Sequence, residues 1–398
     1  MVSFREALEL LMGNAPVWPV ERCRIEEAAG RVLRAPIRAD RAFPAFDRVM
    51  MDGYALKSAD WLAGQRLFRV AAAAPAGHGR VDLPEEAGVC VEVMTGAPCP
   101  LGADCIVPVE EAVRKDEKVV GFSATADPVA GRFIHRAGSD AAAADLLLEP
   151  GTLLGSREIG VAASCGAAWL DVSRLPTIAV VATGDELVPV HQTPQLYQIR
   201  QSNAHSIAAA LRRAGYPPGY AGLLGDDEVA ARPMIEELLA GHDWLILTGA
   251  ASKGGRDFVP SLLEEIGCRR VFHGVAQRPG KPAGCWIGMA GQVVMVLPGN
   301  PVSALTGLHV FVLPALAVAS GLPLPIPRHV VASGRMPALP GFTRHLPVKL
   351  RADGRAEAAA TGNSGDFIGL LRSDGWITIP PSDGKPVIQA AFPFSPWL

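Results

Sequence analysis

Between Pro176 and Leu322 the chain repeats one unit: an apolar run, a loop carrying glycine or acids, and an amphipathic stretch. The apolar runs are "TIAVVATGDE", "YAGLLGDD", "DWLILTGAASKGG" and "QVVMVLPGN", and each is followed by a helix-like segment such as "NAHSIAAALRRAGY" or "VAARPMIEELLAG". Strands apolar along their whole length need cover on both faces, and alternation with helices supplies it. The expectation is a central, mostly parallel α/β domain over residues 176–322. In such a sheet ligands bind beyond the carboxyl ends of the strands. The loops all fall at that end, beginning with Thr183-Gly184-Asp185-Glu186.

The flanks read differently. Residues 1–175 suggest an N-terminal domain that starts with a helix over Phe4–Met12 and returns through a helix capped by Ser156. Glycine and proline punctuate short alternating runs from about 47 to 136, which predicts a β-rich lobe inserted into that domain. Residues 323–398 carry short strands separated by Gly and Pro and suggest a small C-terminal β-barrel. The fold class expected is therefore α/β multidomain.

Charge and cysteine content exclude several classes. With 37 Lys plus Arg against 40 Asp plus Glu, there is no broad positive field for nucleic acid. The 7 cysteines form no C-x-x-C pair and no zinc spacing, which suits reduced thiols and a cytoplasmic protein. No charged residue occurs between Lys281 and Arg328, a stretch long enough to cross a bilayer. Pro314 in mid-run and the Pro-Gly-Asn-Pro turn before it favour a buried helix, so no membrane association is expected.

The loops carry the chemistry. Glycine loops at helix starts present backbone N–H groups to oxyanions. "QRPGKPAG" adds Arg278 and Lys281 on a proline-stiffened turn, one able to fork onto a phosphate, the other a point charge. Asp185, Glu186, Asp226, Asp227 and Asp257 sit at strand exits, and oxygen ligands in that number suit Mg²⁺ held partly through waters and substrate phosphates. Each acid alone is better explained as a helix cap or surface residue; the set is the signal. "GAASKGGR" lacks a Walker ending and no G-x-G-x-x-G follows a strand.

"FDRVMMDGYAL", "EVMTGAPCPLGADCIVPVEE", "RAGSD", "VVATGDELV", "RPGKP" and "LPGNPVSAL" occur in an order that resembles the MoeA family of molybdopterin molybdenumtransferases, itself similar to the C-terminal domain of gephyrin. The resemblance covers nearly the whole chain. It implies insertion of molybdate into adenylylated molybdopterin with Mg²⁺ and release of AMP. It also implies a homodimer in which the α/β domain of one subunit faces the inserted lobe of the other; a molybdopterin adenylyltransferase is a candidate partner. On the family pattern Asp52, Asp140, Asp257 and Lys281 are catalytic, and Thr95, Thr183, Gly184, Ser252, Arg278, Pro298 and Ser303 bind substrate. Asp185, Glu186 and Asp227 are the expected metal ligands.

Some positions depart from the pattern. The family's Gly-Gly-Val-Ser-Val-Gly loop is "GAASKGG" here, with Ala250 and Lys253, and its Tyr-Asp-Ser-Asn stretch is "RQSN", with Arg200 and Gln201. These changes keep open a non-catalytic paralogue that binds a pterin nucleotide or molybdate, or acts in assembly. A nucleotide pyrophosphatase on the same α/β domain is the third class.

Overall fold

The computed structural model describes residues 1–123, 125–249, 258–324, 326–359, 363–383 and 385–398. It divides into two compact units. The first contains 1–34, 150–155 and 169–398, the second 35–149 and 156–168.

At the centre of the first unit is a six-stranded sheet. Its strands are β1 (Ile178–Thr183), β2 (Tyr220–Leu224), β3 (Trp244–Gly249), β4 (Arg269–His273), β6 (Gly284–Ile287) and β7 (Val293–Pro298), while β5 (Val275–Arg278) leaves for a second sheet. The order is β2-β1-β3-β7-β6-β4. The first four run parallel, and β6 and β4 are antiparallel additions from "RRVFHGVAQRPGKPAGCWIG", a segment that the strand–helix repeat does not reveal. Alternate residues of β1 feed two cores: Ile178, Val180 and Ala182 pack with the helix Asn203–Arg213, and Ala179 and Val181 with the helix Glu228–Gly241. Period-2 alternation thus makes an all-apolar strand bury both its faces. Fully burying a side chain such as Leu247 contributes about 1.5–3 kcal/mol.

The segment from Pro301 to Ala319 is one helix, long and apolar enough to cross a membrane, with 72% of its apolar window buried. Leu308–Val312 form a wide π turn just before Pro314, whose missing N–H interrupts the regular ladder. Asn203 is the first residue inside its helix, and its amide donates to the Gly299 carbonyl at 2.8 Å.

A second sheet extends from Val2–Ser3 through β5 to Thr343–Leu350, Gly375–Ile379, Ala391–Pro396 and Arg328–Val331. The N-terminal strand and the C-terminal segment therefore both pair onto β5, where the sequence reading expects residues 323–398 to stand apart as a barrel. Pairing of Trp169–Ser173 with Val20–Arg24 likewise places residues 1–34 in this unit. Register across separate parts of the chain decided both outcomes, and local pattern carries no record of it.

The second unit holds a six-stranded sheet of Cys105–Pro108, Gly53–Leu56, Val89–Val93, Leu67–Ala74, Val119–Phe122 and Ala112–Arg114. Beside it Arg48–Val49 pairs antiparallel with Ile134–His135.

Candidate functional site

In the first unit a cleft of about 510 Å³ opens at the carboxyl ends of β1, β3 and β7. Thr183, Glu186, Arg200, Gln201, Asn203 and Pro298 are among the residues that line it. Its floor is two close backbones: a Cβ on Gly249 would lie 2.2 Å from the Thr183 carbonyl oxygen, and one on Gly299 would lie 3.2 Å from the Gly249 Cα. The φ of +117° at Gly249 lies where side chains are disfavoured. Three buried atoms on the wall, Gln201 Oε1, Asn203 Oδ1 and Thr248 Oγ1, have no hydrogen-bond partner among the described residues. Unmet polar groups gathered in one cleft are the kind that a polar ligand or water satisfies.

The basic loop adjoins this cleft, since Pro282 belongs to its wall. Arg278, the last residue of β5, is in register with Arg344 of Thr343–Leu350. The Arg278 guanidinium carbon and Lys281 Nζ stand 5.9 and 5.8 Å from the centre of the Phe342 ring. Burial lowers the Arg344 pKa from its ordinary value, and the charge of Arg278 lowers it further. Among the described residues no carboxylate forms a salt bridge with any of the three. Like charges held together without a counter-charge form a receptor for an anion. Sequence reasoning finds Arg278 and Lys281 but misses Arg344, because only β-pairing brings "FTRHL" beside "QRPGK".

Of the expected metal ligands, two accept hydrogen bonds from backbone N–H groups. Asp227 caps the helix Glu228–Gly241, accepting from Val229 N at 3.0 Å. Asp185 accepts from the Asp226 N–H at 2.9 Å, and only Glu186 lines the cleft. No group of three His, Cys, Asp or Glu among the described residues is arranged to hold a metal ion. A helix N-terminus and a turn have used the acids that the sequence suggested for a cation. Ser303 is buried in the first turn after Pro301, with its carbonyl oxygen 3.8 Å from where a Gly280 Cβ would be. Gly184 follows β1, and a Cβ there would meet the Glu186 carboxylate at 2.5 Å. Ser252, Asp257, Ala250 and Lys253 lie outside the described residues.

The second unit carries Asp52 and Asp140, each held by its own partners. Asp52 Oδ1 accepts from Thr95 Oγ1 at 2.7 Å and from Thr95 N at 2.6 Å, and these bonds lower its pKa. Thr95, expected to donate to substrate, spends both donors on Asp52. Arg48 Nη2 is 3.2 Å from His135 Nδ1, and His135 Nε2 is 2.8 Å from Asp140 Oδ1. Arginine can only donate, so Nδ1 accepts and Nε2 carries the proton that goes to Asp140. That bond is the main reason the Asp140 pKa is lowered. Arg48 and His135 were missed by sequence reasoning, and their pairing in facing strands is what joins them.

Comparisons with known proteins agree along the whole chain. The family model described as MoeA N-terminal region (domain I and II) matches residues 2–166, and one described as probable molybdopterin binding domain matches 179–318. A molybdopterin molybdenumtransferase of Synechocystis sp. is 32% identical over 100% of both chains. One of Synechococcus elongatus is 34% identical over 99% of this chain and 98% of its own. The solved structure of a molybdopterin biosynthesis MoeA protein from Pyrococcus horikosii superposes with a TM-score of 0.79 at 25% identity, covering 100% of this chain and 99% of that one. With end-to-end identity above 30% and both family regions in place, the chain belongs to the MoeA family of molybdopterin molybdenumtransferases.

Proposed function

We propose that this protein inserts molybdate into adenylylated molybdopterin, with hydrolysis of the adenylate and release of AMP, as a step of molybdenum cofactor biosynthesis. The observation that carries the reading is the group of three cations without carboxylate partners among the described residues, Arg278, Lys281 and Arg344, beside a polar cleft at the strand ends. Molybdate and phosphate are both tetrahedral oxyanions, and preorganised cations lower the energy of charge that develops on them. In this reading the cleft takes the pterin nucleotide, with Thr183, Gly184, Pro298, Ser303 and the Ser252 segment around it. Asp52 and Asp140, both held ionised, and Asp257 act on the nucleophile; His135 keeps Asp140 oriented.

In this reading Mg²⁺ enters as an ion carried by the substrate's phosphates, with Glu186 on the cleft wall facing it. The reading includes a cytoplasmic homodimer and a molybdopterin adenylyltransferase as the neighbour that hands over substrate. Arg200 and Gln201 on the cleft wall favour one alternative, a paralogue that binds without turnover. Incubation with adenylylated molybdopterin, molybdate and Mg²⁺ separates the two. The expected result is molybdate-dependent AMP release that Lys281→Ala reduces at least a hundredfold; binding without AMP release would establish the alternative.

A further inference from the structure

Behind the basic loop runs a buried polar chain. Gln277 is fully buried in β5, and His345, on the neighbouring strand Thr343–Leu350, is 1% exposed. Alternation puts these two side chains inward and their neighbours Arg278 and Arg344 on the other face. Gln277 Nε2 donates to the Gly280 carbonyl at 3.3 Å, which fixes the orientation of the amide. Its Oε1 then faces His345 Nε2 at 3.3 Å, so that nitrogen carries the proton. His345 Nδ1 is left to accept from the Thr378 hydroxyl at 3.2 Å. One arrangement of protons satisfies every link. The turn fits the amide closely, since a Cβ on Gly280, where φ is +96°, would lie 2.7 Å from Gln277 Nε2. The Phe4 ring packs edge-on against the imidazole with centres 4.7 Å apart. Burial pushes the His345 pKa down to about 3, so the imidazole is neutral at physiological pH.

A buried amide–imidazole pair is costly to desolvate, and apolar side chains would fill the same space without that cost. What the pair adds is direction, because it grips the carbonyl of Gly280, one of the two residues between Arg278 and Lys281. We propose that Gln277 and His345 are positioning residues: the chain Thr378–His345–Gln277–Gly280 fixes the turn so that Arg278, Lys281 and Arg344 converge on one tetrahedral oxyanion. This rests on the reading above that these cations hold such an anion.

The test is molybdate affinity by titration calorimetry beside thermal unfolding, on the full chain. Gln277→Met with His345→Leu removes the pair together and leaves neither partner stranded. The expected result is a folded protein with molybdate affinity down at least tenfold, whereas His345→Gln, which restores a donor to Gln277, stays within about threefold of wild type; the tenfold loss corresponds to about 1.4 kcal/mol. A folded double variant that binds molybdate as tightly as wild type overturns the positioning role. Absence of molybdate binding by the wild type overturns the oxyanion reading and this inference with it. Should the double variant not fold, Thr378→Val, which deletes only the last hydroxyl, decides the matter: a loss of threefold or more supports the chain, and unchanged affinity overturns it.

Discussion

His135 shows how one side chain sets the state of another. Arg48 occupies its Nδ1 lone pair, which leaves Nε2–H aimed at Asp140 and stabilises the carboxylate form. Replacing His135 by Leu should return the Asp140 pKa toward the ordinary carboxylate range, while His135→Gln, with an amide donor at similar reach, should keep it low. Carbon-detected NMR titration of labelled aspartate reads this directly, and a titration curve identical in the Leu variant would remove His135 from the account. Because Asp140 is exposed, this interaction orients a group without contributing much to stability.

At the scale of elements, the exits of β1, β3 and β7 matter most. Their backbones approach so closely at Gly249 and Gly299 that main chain forms part of the cleft floor. Gly249→Ala would drive a methyl group into the Thr183 carbonyl and impose strain at φ +117°, for a loss of about 2–4 kcal/mol. Gly30→Ala is the control: φ is +80° there too, but nothing lies within 4 Å, so only the conformational term of about 1 kcal/mol applies. Urea midpoints of the two variants should differ clearly, and equal shifts would show that the approach of the strands is not tight in solution. The apolar helix Pro301–Ala319 obeys the same logic, since its lack of charge follows from burial between the two sheets' side chains and not from an outer surface.

For the whole molecule, stability should depend on acid through His345. Its folded-state pKa, about 3, lies below the unfolded value of 6.5, so the unfolded chain takes up a proton that the folded one does not. This stability is full above about pH 6.5 and is lost as pH falls toward 3, at up to about 1.4 kcal/mol per pH unit. Asp47 and Asp243 work lower. In Asp47 the Ala137 N–H bond is the largest influence and lowers the pKa; in Asp243 burial would raise it, but bonds from Arg174 and Thr177 outweigh that. Their contributions fade only as pH falls below the usual carboxylate range. Between pH 6.5 and 4.5 the Gln277→Met/His345→Leu variant should therefore lose less thermal stability than wild type. Parallel curves would mean that His345 already titrates normally in the folded protein.

The sequence by itself determined the strand–helix alternation, the glycine exits and the cations of the "RPGKP" turn. Each is local: a run of apolar residues, a residue without Cβ and a proline-bounded charge act through their immediate neighbours. It also identified Asp52 and Asp140, but not the groups that hold them. Only the tertiary structure decided that Asp227 caps a helix and Thr95 serves Asp52, that Arg344 joins Arg278 and that Gln277 meets His345. The pairings of Arg278 with Arg344 and of Gln277 with His345 come from register between β5 and Thr343–Leu350, with Arg278 and Arg344 lying 66 residues apart in sequence. The free energy that selects a register is spread over whole buried faces, so no short stretch of sequence displays it.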